Sequence, residues 1–254
     1  MLETIKKIST IIDLLEKKQH SFAFFELKKL IYTELSNLFE EPNDLVFLNN
    51  IVDSYEKKAL GQSYDFKSLI FSLQKIKEKI ISKINIEQLR LVDDTINLVD
   101  LNEIIHHFIF KNFYQHFSSL FDSNFDLSFK QWEKMRFYID RHAYIEDTVF
   151  EPIYISLSSK IGTPKGGDYN QFIYEHKILK KLIEDIEKNF EKMSTKEIYV
   201  VDNLDNYFYF KNFWIHHGLR EKNIFYKFLE ENLDDGFKQD LRKELVKSIK
   251  EWEF

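Results

Sequence analysis

The chain contains no cysteine among its 254 residues. This absence excludes disulfides, zinc ribbons, cysteine nucleophiles and thiolate-held iron–sulfur clusters, and it leaves histidine, aspartate and glutamate as the only strong metal ligands. Glycine and proline are also scarce, at 6 and 3 residues, which favours long helices over a turn-rich sandwich or barrel. The sequence therefore predicts an all-α protein.

Basic charge and long apolar runs are lacking as well. The 36 Lys and Arg residues are fewer than the 42 Asp and Glu residues, so the net charge of −6 offers no broad surface for a nucleic-acid backbone. No apolar run approaches the roughly 20 residues that cross a bilayer, and the N-terminus alternates charged with apolar residues, unlike a signal sequence. We expect a cytoplasmic protein that binds neither nucleic acid nor membrane.

Apolar residues recur at helical spacing along the whole chain. In residues 1–90 this periodicity predicts helices at about 2–19, 21–39, 44–61 and 64–84. The pattern then resets, and longer helices are predicted at about 94–121, 127–157, 169–192 and 196–232, with a short one at 237–252. Pro152 predicts a kink or break late in the second of these longer helices. Long helices with short connections are typical of an antiparallel up-down four-helix bundle, so we divide the chain into an N-terminal helical region, 1–90, of unassigned role and a bundle, 91–254.

Histidine is concentrated in the four long bundle helices, which hold seven of the eight histidines. In the second helix His142 is followed four positions later by Glu146, and in the fourth helix His217 is followed in the same way by Glu221. Four residues on a helix correspond to about 40° of rotation and about 6 Å of rise, so each imidazole and carboxylate can reach one point. The two pairs are candidate metal ligands.

The surroundings of the two pairs match as well. At a single offset of 75 residues, from 142 to 217, Val149-Phe150 aligns with Ile224-Phe225, which indicates a duplicated helical hairpin. The second and fourth helices of an up-down bundle lie diagonally, so side chains from both can converge on the bundle axis. The first and third helices must complete such a site.

The third helix offers one histidine, His176, and the first offers His106, His107 and His116. If the first hairpin turns near Asn124, the residue level with His142 is number 106. His106 also shares a stripe with apolar residues, whereas the stripes of His107 and His116 include Lys111 and Ser119. We therefore select His106 and expect His116, about 15 Å along the helix axis, to miss the site.

The remaining histidines and Glu175 are not expected to be metal ligands. We expect His107, His116 and His216 to face outward rather than to bind metal. Glu175 points about 100° away from its neighbour His176 on a helix, so we expect it to support the site or its access channel.

These motifs resemble those of the hemerythrin-like, HHE cation-binding family. The resemblance covers about residues 91–232. It rests on His142-x-x-x-Glu146-Asp147 followed by Phe150-Glu-Pro152, on Glu175-His176, and on His217-x-x-x-Glu221 followed by Ile224-Phe225-Tyr226. The resemblance implies a non-haem site of two iron ions, Fe2+ or Fe3+, with a bridging oxo or hydroxo group. It further implies Glu146 and Glu221 as bridges and His142, His176 and His217 as terminal ligands. The predicted position of residue 106 level with His142 adds His106 to this set.

Three departures from the family's patterns refine this resemblance. Lys180 stands where oxygen-carrying hemerythrins have a further histidine, so the chain is closer to the four-histidine, two-glutamate branch. That branch includes proteins linked to the repair of damaged iron–sulfur centres and to nitric oxide responses. Repair proteins of this type carry a cysteine-bearing N-terminal segment, which this chain lacks, and a gapless match would place the first histidine at Phe113.

The leading function is a diiron protein that senses or handles dioxygen, nitric oxide or peroxide, or that stores and delivers iron. One alternative is a diiron oxidoreductase that reduces peroxide or nitric oxide or repairs iron centres. Another is a helical scaffold whose residues 1–90 bind a protein partner or form a homodimer. Manganese or zinc accepts the same ligands as iron, and a metal-free bundle with buried histidines is the remaining alternative.

Overall fold

The computed structural model describes residues 1–35, 66–84, 96–195 and 199–249. It divides the chain into two compact units, Met1–Ile96 and Asn97–Phe254. Across these described ranges all regular structure is helical and no strand occurs, which confirms the all-α prediction for them.

The N-terminal unit contains helices α1 (Leu2–Glu16), α2 (His20–Leu30) and α3 (Phe66–Ser82), and a π-helical turn, Ile31–Leu35, extends α2. Helix α1 packs against both α2 and α3 and buries Ile5, Ile8 and Ile11. It ends three residues before the predicted boundary because Lys18 adopts a left-handed φ of 61°. The Gln19 N–H then donates to the Leu14 carbonyl at 2.8 Å, as in a Schellman motif. The helix predicted at 44–61 lies outside the described residues.

The described residues of the second unit form four long helical rods and one further helix after them. The first rod is α4 (Leu98–Phe121), and the second joins α5 (Phe125–Ile145) to α6 (Glu151–Ile161) through a π-helical turn, Glu146–Phe150. The third is α7 (Tyr169–Glu187), followed by the short α8 (Phe190–Ser194). The fourth joins α9 (Leu204–Arg220) to α10 (Lys227–Asn232) through a π-helical turn, Glu221–Tyr226, and α11 (Asp235–Ser248) follows.

The rods contact one another in a ring. Helix α4 packs against α5 and against the fourth rod, and α7 packs against α5 and α9. This order places the second and fourth rods across the bundle from each other and is consistent with the up-down topology that the short connections predict.

Short polar side chains set where the rods begin. Asn97 accepts a hydrogen bond from the Asp100 N–H at 2.7 Å, and Asn124 accepts one from the Leu127 N–H at 3.2 Å. Asp168 does the same for the Asn170 N–H at 3.1 Å. Each bond satisfies a backbone donor that the first turn of a helix leaves free, which explains the sharp starts of α4, α5 and α7.

Some predicted boundaries are wrong. The break that Pro152 predicts does not occur, because Pro152 lies in the first turn of α6, and an irregular π-helical turn precedes it directly. The third helix ends at Glu187 rather than 192. The fourth begins at Leu204 rather than 196, because a 3-10 turn, Val200–Asn203, precedes it and the Asp202 carboxylate accepts from the Tyr199 N–H at 2.9 Å.

Two aromatic clusters fill the bundle core. Trp132 lies with its ring centroid 5.9 Å from Tyr207 and 5.8 Å from Phe210. Phe150 lies 6.1 Å from Phe225, farther along the second and fourth rods. All five side chains are buried. In the sequence, His142 and Glu146 fall between the core residues Trp132 and Phe150, so the polar site interrupts a large aromatic core.

Candidate metal centre

The structure brings the six predicted ligand residues together inside the second unit. Their ligand atoms form two overlapping groups, each with all atoms within 4.8 Å of one another: Glu146, His176, His217 and Glu221, and His106, His142 and Glu221. Five of the six side chains are at most 8% exposed, and His106 is 12% exposed. These residues form a buried His/Glu cluster that could bind metal.

Each carboxylate faces two imidazoles on opposite sides of the cluster. Glu221 Oε2 lies 3.0 Å from His106 Nε2, and Glu221 Oε1 lies 2.6 Å from His217 Nε2. Glu146 Oε1 lies 3.3 Å from His142 Nε2, and Glu146 Oε2 lies 3.2 Å from His176 Nε2. Both glutamates thus span two imidazole pairs, one formed by His106 and His142 and the other by His176 and His217.

Three buried polar atoms of the cluster, Glu146 Oε2, His176 Nε2 and Glu221 Oε1, make no hydrogen bond within the described residues. His176 Nε2 lies 3.2 Å from Glu146 Oε2 and 3.7 Å from Glu221 Oε1. Buried polar atoms are normally hydrogen-bonded, so atoms that converge without suitable hydrogen-bond geometry suit a cation between them. Imidazole nitrogen and carboxylate oxygen are ligands of iron, manganese and zinc. The residues therefore fit a metal.

The carboxylates of the cluster are anionic at neutral pH. Burial and the charge of Glu221 raise the pKa of Glu146, but the imidazoles of His142 and His176 outweigh them and hold it at about 2. Burial likewise raises the pKa of Glu221, and His217 and His106 bring it well below its usual range. The cluster therefore offers two carboxylate groups in the anionic form that metal ions bind.

Two of the imidazoles, those of His176 and His217, have raised pKa values and favour the doubly protonated, cationic form. Burial lowers the pKa of His176, but Asp147, Glu146 and Glu221 together raise it to about 12. Burial also lowers the pKa of His217, whereas Glu221 and Glu175 raise it to about 9. Because metal ligation requires the neutral imidazole nitrogen, metal binding here must release protons.

Carboxylates behind the cluster orient these two rings. His176 Nδ1 donates to Asp147 Oδ1 at 2.9 Å, and His217 Nδ1 donates to Glu175 Oε2 at 2.9 Å. Each bond leaves Nε2 aimed into the cluster, as is common for metal-binding histidines. Glu175 contacts a histidine of the cluster rather than lying among its ligand atoms, in line with the sequence prediction, whereas the contact of Asp147 was not predicted.

Arg220 links this support to the loop between the second and third rods. It contacts the Glu175 carboxylate and also donates to the Gly166 carbonyl at 3.0 Å and to Gln171 Oε1 at 2.7 Å. Sequence reasoning missed Arg220, although its position one residue before Glu221 in the second motif is visible in the sequence.

Two tyrosines hold Glu146 from the other side. Tyr226 Oη donates to Glu146 Oε1 at 2.6 Å, and Tyr169 Oη donates to the Glu146 backbone carbonyl at 2.8 Å. Tyr226 is fully buried, and burial together with the nearby glutamates raises its pKa well above the usual value. The phenol therefore stays protonated and acts as a hydrogen-bond donor to the carboxylate.

Both glutamates occupy the first position of a π-helical turn. The turns begin at Glu146 and Glu221, which are equivalent at the offset that aligns the two motifs. Such turns are rare and are frequent at functional sites. The shared distortion supports the duplicated hairpin that the sequence indicates.

Gly218 leaves room for His106. A Cβ atom at this position would lie 2.6 Å from His106 Nδ1 and 3.2 Å from His106 Cε1. Trp214, four positions before Gly218 on α9, also contacts this imidazole, and its ring centroid lies 4.8 Å from that of His106. The imidazole thus packs against a glycine and an indole of the same helix.

The other histidines lie outside the cluster. His107 and His216 are exposed, as predicted. The prediction that His116 faces outward is wrong, because its side chain is completely buried. Its Nδ1 donates to the Ser128 carbonyl at 2.8 Å, and its Nε2 accepts from Tyr207 Oη at 3.1 Å. These two partners satisfy the ring and make burial possible, and the expectation that His116 misses the site is confirmed.

His116 makes stability depend on pH. Burial lowers its pKa from 6.5 to about 4, against a smaller raising effect of the Ser128 backbone. Between these two values the unfolded chain binds more protons than the folded chain, so stability rises with pH. The stabilising contribution is complete above about pH 6.5 and is lost as the pH falls towards 4.

Comparison with protein-family models, curated proteins and solved structures finds no match to this chain. Among the described residues, no helix combines the length and the apolar character that crossing a membrane requires.

Proposed function

We propose that residues 91–254 form a hemerythrin-like bundle that binds two iron ions and handles dioxygen, nitric oxide or peroxide. The observation that carries this proposal is the arrangement of the two glutamates. Each glutamate places one carboxylate oxygen next to a histidine of the pair His106 and His142. Its other oxygen lies next to a histidine of the pair His176 and His217. Two carboxylates shared between two imidazole pairs suit two metals better than one.

The protein side chains have distinct roles in this proposal. His106 and His142 would hold one ion, His176 and His217 the other, and Glu146 and Glu221 would bridge them. Six protein ligands leave coordination positions open on two ions, and iron bound there would supply small-ligand binding with a change between Fe2+ and Fe3+. Asp147 and Glu175 would fix the ring orientations, and Tyr226 would fix Glu146.

The surrounding core supports small-molecule chemistry rather than iron release. The cluster is buried among aromatic side chains, yet a cavity of about 350 Å³ reaches His142, His176 and His217. A ligand could thus approach the second imidazole pair while bulk water is kept from most of the site.

Substitution of a bridging residue tests the proposal. We expect Glu221→Ala to stay helical by circular dichroism but to bind fewer than two ferrous ions per chain in an anaerobic titration, because Glu221 belongs to both ligand groups. Glu231→Ala is the matched control, since Glu231 is 61% exposed and makes only a 3.9 Å pair with Lys227. Two ions bound with unchanged affinity in Glu221→Ala would overturn the bridging role.

A further inference from the structure

The cavity beside the candidate metal centre is larger than a diatomic ligand needs. Its volume is about 350 Å³, and it lies between α5 and α7 with His142, His176 and His217 in its wall. A water molecule occupies about 30 Å³ in the liquid, whereas sites for small organic ligands begin at about 300 Å³. The volume therefore fits a small organic molecule.

The wall of the cavity next to the histidines is apolar. It is formed by the side chains of Ile139, Ala143, Ile173, Leu179 and Trp214. Leu179 is 1% exposed, Ile139 and Trp214 are each 4% exposed, and burial of hydrocarbon against such surface is favourable. The wall suits the hydrocarbon part of a ligand.

Most charged groups around the cavity are already paired. Arg136 forms ion pairs with Glu187 at 2.7 Å and with Asp140 at 3.6 Å. Asp147 accepts from His176 Nδ1 at 2.9 Å. Among the charged residues that line the cavity, Arg136, Asp140 and Asp147 therefore each have a partner.

Two lysines of the lining remain. Over the described ranges, Lys177 and Lys180 form neither a hydrogen bond nor an ion pair, and Lys180 acts on Asp140 only through its longer-range charge. Residues three positions apart on a helix are neighbours on one face, so the two ammonium groups of α7 can reach one anion. They supply a charge that the cavity itself does not neutralise.

We propose that this cavity binds a small organic carboxylate, with the carboxylate at Lys177 and Lys180 and the hydrocarbon part against the apolar wall. The meaning of this site for activity rests on the proposed function, because the bound molecule would then lie beside the metal. The binding itself depends on the lysines and the apolar wall and does not require the metal.

Benzoate is a suitable probe, with benzamide as its uncharged analogue. We would titrate each into the full-length chain as purified and follow tryptophan fluorescence, since Trp214 lines the cavity. We expect saturable binding of benzoate and much weaker binding of benzamide. In the double variant Lys177→Ala/Lys180→Ala we expect about tenfold weaker benzoate binding, the scale of two exposed charge contacts. Lys181→Ala, on the same helix but outside the lining, is the matched control and should bind benzoate like the parent chain.

Three results would overturn the proposal. These are equal binding of benzoate and benzamide, unchanged benzoate affinity in the double variant, and a fluorescence change that persists in Trp214→Phe. Iron content, measured in the same samples, separates this proposal from the proposed function. Benzoate binding without iron binding would refute the metal centre alone, and iron binding without benzoate binding would refute the carboxylate site alone.

Discussion

Replacement of Gly218 by alanine perturbs one half of the candidate metal centre. The added Cβ would lie 2.6 Å from His106 Nδ1, about 0.8 Å closer than the shortest ordinary contact of 3.4 Å. The imidazole must move away by a similar distance, whereas metal–ligand distances tolerate only about ±0.2 Å. Because His106 belongs only to the ligand group that it forms with His142 and Glu221, the structure predicts selective loss of one ion.

The size and the sign of the effect can both be checked. Loss of a supporting contact at a metal site costs about 10- to 100-fold in affinity, and displacement of a ligand should cost at least as much. In contrast, alanine in place of a helical glycine should stabilise the metal-free fold by about 0.5–1 kcal/mol, apart from the local clash. Gly218→Ala should therefore stay folded and bind one ferrous ion tightly instead of two.

An anaerobic ferrous titration with thermal unfolding of the metal-free chain is the assay. Gly236→Ala is the control, because its added Cβ would meet only Asp234 Oδ1, at 3.3 Å. Two tightly bound ions in Gly218→Ala would refute the reasoning, because His106 would then either have room to spare or not be a ligand.

Two further predictions concern buried hydrogen bonds. Tyr226→Phe removes the 2.6 Å bond to Glu146 Oε1 and should weaken iron binding about tenfold, measured by competition with a chelator. Tyr154→Phe, which removes the 2.7 Å bond to the Gly167 carbonyl, should leave iron affinity unchanged, and an equal loss in both variants would contradict the role of Tyr226. Between pH 6.5 and pH 4, measured by urea denaturation, the free energy of unfolding should fall by about 3 kcal/mol less in His116→Gln than in the parent chain. The variant has no buried imidazole that must be protonated. Parallel pH profiles of the two proteins would contradict burial of a neutral His116.

The position of the histidines along the rods was predictable because helix geometry is regular. An antiparallel hairpin with a fixed rise per residue places residue 106 level with His142, and their Nε2 atoms lie 2.9 Å apart. The direction of Glu175 followed in the same way from its angle to His176. Both positions depend only on the regular geometry of a helix and on the location of the turn that ends it.

Other features depend on contacts that the sequence does not reveal. His116 is buried because Ser128 and Tyr207 satisfy its ring, and Tyr207 is 91 positions away. The π-helical turns that begin at Glu146 and Glu221 contain neither proline nor glycine, so their own residues do not reveal the distortion. The need for glycine at position 218 likewise becomes visible only when α4 and α9 are placed side by side. Each depends on packing between distant segments.

The number of metal ions per chain tests the central claim most directly. Full-length protein purified without a tag or added metal would be analysed for iron, manganese and zinc, before and after anaerobic loading with ferrous iron. We expect two irons per chain after loading, with near-ultraviolet absorption in air that bleaches on reduction. No bound metal after loading would contradict this claim and leave the cluster as a set of buried hydrogen-bonding side chains.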